Sequence, residues 1–135
     1  MAQRCRFKVG KLIRDKQSKT LQDSGVEVDE RIMGLEEFAQ RLKEKILEEG
    51  EEVVKAVDLG ELQEEMADLL EVMMALARLN GFTLEEVKQK ALEKKLERGG
   101  FDARIYSGFV DIDPDHPNVK YYRAHPDKYP EIFDR

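Results

Sequence analysis

The sequence has few of the residues from which many familiar catalytic sites are built. Its single cysteine, Cys5, excludes an internal disulfide and a cysteine-pair zinc site within one chain. Both histidines, His116 and His125, lie near the C-terminus, so a histidine metal cluster or a Ser-His-Asp triad in the core lacks material. Tryptophan is absent. Any site chemistry must therefore come from other groups.

Long apolar runs and an excess of positive charge are also missing. The longest uninterrupted apolar run is 72–77, far short of the roughly 20 residues that span a bilayer, and the N-terminus lacks the apolar segment of a secretion signal. Lys and Arg number 23 against 29 Asp and Glu, which gives a net charge of −6 and disfavours nucleic acid as a partner. We expect a cytoplasmic protein that binds neither membranes nor nucleic acid.

Hydrophobic periodicity predicts three helices. The 135 residues suit one domain, and a content of 39% charged and 41% hydrophobic residues is typical of a solvated helical protein. Apolar residues recur at spacings of three and four between glycines, and capping signals mark two helix starts. The predicted helices run from about Leu35 to Val57, from the capping signal Asp58–Glu61 to Gly81, and from the N-cap Thr83 to Gly99.

The two ends of the chain lack a helical period. The alternation in 26–32 suggests a short strand, and the residues after 105 hold all four tyrosines and all four prolines. We predict an all-α helical bundle with a short irregular or β N-terminal piece and a non-helical C-terminal arm. The predicted division is a domain over 1–105 and an aromatic, Pro-rich extension over 106–135.

Carboxylates lie at the edges of the apolar faces of the first two predicted helices. With about 100° per residue, Glu49 falls inside the apolar stripe and Glu52 beside it, while Glu65 and Asp68 flank the stripe of the next helix. A short connection around Gly60 favours antiparallel packing, which brings these acids together. Such hard oxygen ligands suit Mg²⁺ or Mn²⁺. The alternative is a solvated acidic helix face, because any two acidic helices yield some pairs at this spacing.

Three motifs in the right order resemble the MazG-like, all-α nucleoside triphosphate pyrophosphatases. The acids spell Glu48-Glu49-x-x-Glu52 and then Glu65-x-x-Asp68, similar to the EExxE…ExxD signature. The segment KLIRDK at 11–16 resembles the KLVRDKIP start of the phosphoribosyl-ATP pyrophosphohydrolase-like subgroup, with Gln17-Ser18 in place of Ile-Pro. Residues 94–101 are similar to that subgroup's basic K-x-x-R-G-G-F helix end. The resemblance covers about 7–105.

The resemblance implies a house-cleaning enzyme that hydrolyses the α–β phosphate bond of a nucleoside triphosphate to give a monophosphate and pyrophosphate. It implies Mg²⁺ as the cofactor, with Mn²⁺ as the alternative, and a homo-oligomer, either a dimer or a tetramer. The implied metal ligands are Glu49, Glu52, Glu65 and Asp68, and the implied catalytic residues are Glu48 and Glu49. The implied phosphate-binding cations are Lys11, Arg14, Lys16, Lys95 and Arg98.

Two other functions remain open from the sequence. Hydrolysis of phosphoribosyl-ATP uses the same motifs and differs in the pocket for the base, and specificity of this kind depends on pocket shape. A catalytically inactive helical dimerisation module is the alternative of another class. The second predicted helix is apolar over more than one face, through Leu70, Met73, Met74 and Ala77. The first predicted helix cannot cover all of that surface, which favours contact between copies.

Overall fold

The chain is all-α in the computed structural model, which describes residues 3–133. Its helices are α1 (Asp15–Asp23), α2 (Leu35–Lys55), α3 (Leu59–Leu79), α4 (Leu84–Arg98) and α5 (Asn118–Arg123), and no strand occurs among the described residues. The prediction of an all-α fold is confirmed. None of the helices in this range is long and apolar enough to cross a membrane.

The chain forms two compact units. The first ends at Glu97 and the second begins at Arg98, so the border falls at the last residue of α4. The division after residue 105 stays a prediction about domain organisation.

Helices α2 and α3 pack against each other and form the core of the first unit. Only the residues from Ala56 to Asp58 join them, so the two helices run antiparallel. The backbone N–H of Glu61 donates a hydrogen bond to the Asp58 carboxylate over 2.8 Å, and the Glu61 carboxylate accepts one from the backbone N–H of Val57 over 3.3 Å. The predicted capping signal is confirmed, and it fixes the start of α3 close to the end of α2.

The predicted end of α3 and start of α4 are also confirmed. Gly81 has a φ of 82°, and the backbone N–H of Phe82 donates to the carbonyl of Ala77 over 3.1 Å, which closes α3 with a Schellman motif. Thr83 and Glu86 then form a reciprocal capping box, in which each side chain accepts a hydrogen bond from the other's backbone N–H over 3.2 Å.

The hydrophobic core of a single chain is small. Its fully buried apolar side chain is Leu42, 2% exposed, and among the described residues only Val72 and Ala77 join it as buried hydrophobic residues. Leu35 and Val57, at the ends of the stripe predicted for α2, are 72% and 90% exposed. The periodicity correctly indicates an apolar face, but α3 covers only the middle of that face.

Helix α1 is absent from the predictions. Its nine residues carry a single large apolar side chain, Leu21, so they show no apolar stripe. The helix is held by polar contacts, because buried Ser18 bonds Glu30 and the Gln22 amide donates to both of them. The Ser18 hydroxyl therefore has a structural role, since it joins α1 to the segment that follows it.

The predicted strand at 26–32 is wrong. The segment is irregular, and the backbone N–H of Val26 donates to the carbonyl of Leu21 over 3.0 Å as part of the C-terminal cap of α1. A strand also needs a neighbour, and the described residues contain none. The segment is fixed instead by Arg31, which donates two hydrogen bonds of 2.6 Å to Glu37 at the start of α2.

The prediction of a non-helical C-terminal arm is wrong in one place. Helix α5 spans only six residues, too few to show a helical period in the sequence. In this second unit the rings of Tyr122 and Tyr129 meet edge to face with centroids 5.0 Å apart, and Arg123 donates two hydrogen bonds, of 2.9 and 3.1 Å, to Glu131. Aromatic and ionic contacts therefore order this part of the chain.

The ion pair between Arg31 and Glu37 predicts a pH effect. The hydrogen bonds from Arg31 lower the pKa of Glu37 below its ordinary value, so the pair stabilises the fold above about pH 4.3 and this contribution is lost as the pH falls through the lowered pKa. Carbon-13 NMR titration of the Glu37 carboxyl is expected to show the lowered pKa and its return towards the ordinary value in Arg31→Gln. An identical titration curve in the variant would contradict the assignment.

Candidate metal centre

Three carboxylates from the two packed helices meet at one place. Glu49 comes from α2, Glu65 and Asp68 come from α3, and one oxygen of each lies within 4.8 Å of the others. All three side chains are partly buried. The antiparallel hairpin produces this arrangement, because residues at similar distances from the connection lie opposite each other. We call Glu49, Glu65 and Asp68 the carboxylate trio.

The trio is an electrostatically unfavourable arrangement without a cation. Desolvation raises the pKa of Glu65 first of all, and the negative charges of Asp68, Glu52 and Glu49 raise it further. Like charges at this separation repel each other, and the repulsion is stronger where water is partly excluded. A bound cation would remove this penalty.

The donor set fits a hard divalent cation. Carboxylate oxygens are the ligands that Mg²⁺ and Mn²⁺ prefer, and the described residues around the trio contribute no cysteine or histidine to a cation-binding group. Asp68 keeps 43% of its side chain exposed, so water and a phosphate can approach. Glu52, the fourth predicted ligand, is exposed and lies outside the trio, although its charge acts on Glu65.

Glu48 lies next to the trio and bonds two lysines. Lys11 donates to one of its carboxylate oxygens over 2.7 Å and Lys45 donates to the other over 3.1 Å. The hydrogen bond from Lys11 holds the pKa of Glu48 below its ordinary value. A carboxylate stabilised in its charged form is a weak base, so this geometry favours a positioning role for Glu48.

Lys45 is a residue of this site that the sequence analysis missed. Its ammonium nitrogen lies 3.1 Å from Glu48 and 3.5 Å from Glu49, and its side chain is only 18% exposed. The signal was present, since Lys45 precedes these two acids by three and four residues on one helix. It was overlooked because such pairs are common on solvated helices.

The basic segment at 11–16 places two of its predicted phosphate-binding cations at the site. Arg14 lies 2.8 Å from Asp68, and Lys11 contacts Glu48 as described above. The structure therefore brings together Lys11, Arg14, Glu48 and the trio, although the segment and the acids are far apart in the sequence.

Two of the other predicted cations, Lys16 and Lys95, have no such contact among the described residues. Lys16 is exposed on α1 and Lys95 is exposed on α4, and within residues 3–133 neither forms an ion pair with the trio. Arg98 is the last residue of α4 and the first of the second unit. Their role in phosphate binding stays a prediction.

Comparison with known families agrees with the geometry. Residues 38–99 match the family model of the MazG nucleotide pyrophosphohydrolase domain. The matched range begins in the first turn of α2, ends after α4 and contains the whole trio. No significant match was found among curated proteins or among solved structures. The match supports the MazG-like superfamily without distinguishing its subgroups.

Proposed function

We propose that the chain hydrolyses nucleoside triphosphates to monophosphates and pyrophosphate. The premise is that it belongs, through residues 38–99, to the MazG nucleotide pyrophosphohydrolase domain family. The single observation that carries this proposal is the convergence of Glu49, Glu65 and Asp68 inside the matched range. The bond cleaved is the one between the α and β phosphates. Non-standard ribo- or deoxyribonucleotides are included among the proposed substrates, in keeping with a house-cleaning role in the cytoplasm.

The trio would hold Mg²⁺, with Mn²⁺ as the alternative, and Glu52 is the proposed fourth ligand. When bound, the ion would neutralise phosphate charge and make water a better nucleophile. The protein's own contribution is to hold the carboxylates on two packed helices. The Asp58 cap fixes where α3 begins and so helps to place its carboxylates opposite Glu49. Partial burial of Glu49, 13% exposed, limits competition from bulk water.

The cations around the trio would bind the triphosphate. Arg14 and Lys11 already lie at the site, and a guanidinium matches the geometry of phosphate oxygens. Lys16, Lys95 and Arg98 are proposed to contact the outer phosphates. Glu48 is proposed to hold Lys11 and Lys45 in place, and through them the N-terminal segment.

Pyrophosphate release from a panel of nucleotides with Mg²⁺ tests the function. We expect turnover of at least one ribo- or deoxyribonucleoside triphosphate, with phosphoribosyl-ATP included as a competing substrate. Preference for phosphoribosyl-ATP would move the chain to that alternative activity. Absence of turnover from every substrate, together with absence of calorimetric binding of Mg²⁺ or Mn²⁺, would favour an inactive helical interaction module.

We also propose that the chain acts as a homo-oligomer, either a dimer or a tetramer. Val54, Val57 and Leu59 are 85%, 90% and 84% exposed around the α2–α3 connection, and a core of the size seen in one chain is small for an independent domain. Sedimentation equilibrium is expected to give a mass of at least twice the 15.7 kDa of one chain. A single species at the mass of one chain over the whole concentration range would contradict this prediction.

A further inference from the structure

Arg14 forms an ion pair with a member of the carboxylate trio. One of its terminal nitrogens lies 2.8 Å from Asp68 Oδ1, and 60% of the Arg14 side chain is exposed. The residue is the N-cap of α1, but its side chain makes no hydrogen bond to the helix. The guanidinium therefore bonds Asp68 and does not cap α1, so α1 can form without this contact.

A guanidinium and a divalent cation have to compete for this carboxylate. Arginine keeps its charge throughout the physiological pH range, so it cannot relieve repulsion by losing a proton. A divalent ion on Asp68 would repel it, and an exposed ion pair opposes its departure only weakly. Arg14 can thus leave Asp68 at little cost.

Lys45 also contacts the trio, but it differs from Arg14 in its exposure and in the origin of its contacts. It is only 18% exposed, and its contacts with Glu48 and Glu49 are made along its own helix. Its position is fixed by the helix, so its charge stays at the site whichever groups bind there. Arg14 reaches the trio from outside the α2–α3 hairpin, so no contact along α2 or α3 fixes its position in this way.

Lys11 keeps the N-terminal segment at the site when Arg14 leaves Asp68. Its ammonium group bonds Glu48, which is not one of the trio, over 2.7 Å. Arg14 follows Lys11 by three positions in the chain, so the released guanidinium remains within the reach of a long side chain from the site. A phosphate bound there would offer it a second anionic partner with suitable geometry.

We propose that Arg14 is a displaceable counter-ion of the metal centre. Its guanidinium neutralises Asp68 until a divalent cation binds that carboxylate, and the released guanidinium then binds the phosphates of the substrate. This inference rests on the proposed function. It ties the arrival of the metal to the release of a phosphate-binding group, so that the cation charge needed by the substrate becomes available only at a loaded centre.

Calorimetric titration of the full-length protein with Mn²⁺ tests the competition. Arg14→Gln is expected to bind Mn²⁺ roughly three- to tenfold more tightly than the wild type, because one competing positive charge is removed. Arg14→Lys keeps the charge and is expected to stay within about twofold of the wild type. The matched control is Lys19→Gln, which removes a charge whose partner, Asp23, lies on α1 itself at 3.0 Å, and which is expected to change the affinity less than twofold.

Steady-state kinetics test the second half of the inference. With saturating Mn²⁺, Arg14→Gln is expected to raise the KM for the nucleotide more than it lowers kcat, because a ground-state phosphate contact is lost. Unchanged or weaker Mn²⁺ binding by Arg14→Gln, with normal binding by the wild type, would overturn the inference and leave the proposed function standing. An unchanged KM would overturn the transfer to phosphate. Absence of Mn²⁺ binding by the wild type would overturn both proposals.

Discussion

Replacing Glu49 by glutamine is expected to lower the rate of pyrophosphate release by at least about 100-fold. Glu49 is the only member of the carboxylate trio that α2 supplies. Its side chain is 13% exposed, less than that of Glu48 or Asp68. The amide keeps the size of the side chain but removes a negative charge and one anionic oxygen. A divalent cation would then be held by α3 alone.

The same substitution two residues further along α2 provides the control. Glu51 is 73% exposed, and its ion pair joins it to Lys55 over 3.9 Å on the same helix. Glu51→Gln changes the net charge by the same amount as Glu49→Gln, and we expect it to keep activity within about twofold of the wild type, since exposed pairs contribute little. Calorimetry with Mn²⁺ should show weakened binding only in Glu49→Gln. Equal activity of the two variants would remove the trio from the catalytic site.

The part of the fold that the sequence predicts is the part that local chemistry determines. The ends of α3 and the start of α4 depend on Asp58, Gly81 and Thr83, whose caps act within a few residues. The α2–α3 hairpin follows from two apolar stripes and a short connection. Because these features are local, they also place Glu49 opposite Glu65 and Asp68, and the predicted meeting of acids from two helices follows for these three residues.

What the sequence does not predict depends on contacts between distant residues. Helix α1 is held through Ser18 and Glu30, which no periodic pattern links, and the contact of Arg14 with Asp68 joins residues 54 positions apart. Glu52 shows that helical spacing can also include a residue that does not join the group. It stands three residues from Glu49, yet a small rotation around α2 leaves it exposed and outside the trio. Spacing gives a face to within about one residue, which is too coarse to count ligands.

Replacing Leu42 by alanine is expected to lower the free energy of unfolding by about 2–5 kcal/mol. Leu42 is the one fully buried large side chain among the described residues, so its loss leaves a cavity between α2 and α3. A stability of about 5–15 kcal/mol is usual for a domain, and the core here is small, so this loss is a large fraction of the total. Urea unfolding followed by circular dichroism measures it, with equal denaturant slopes required for the comparison.

Leu47→Ala makes the same chemical change five residues further along α2, where the side chain is 73% exposed. In an isolated chain its expected cost is within about 0.5 kcal/mol, because no cavity forms. The two variants therefore separate the core of one chain from contacts between copies. If Leu47→Ala proves as costly as Leu42→Ala, and its cost grows with protein concentration, then Leu47 is buried by a second copy, because only an associating system makes stability depend on concentration.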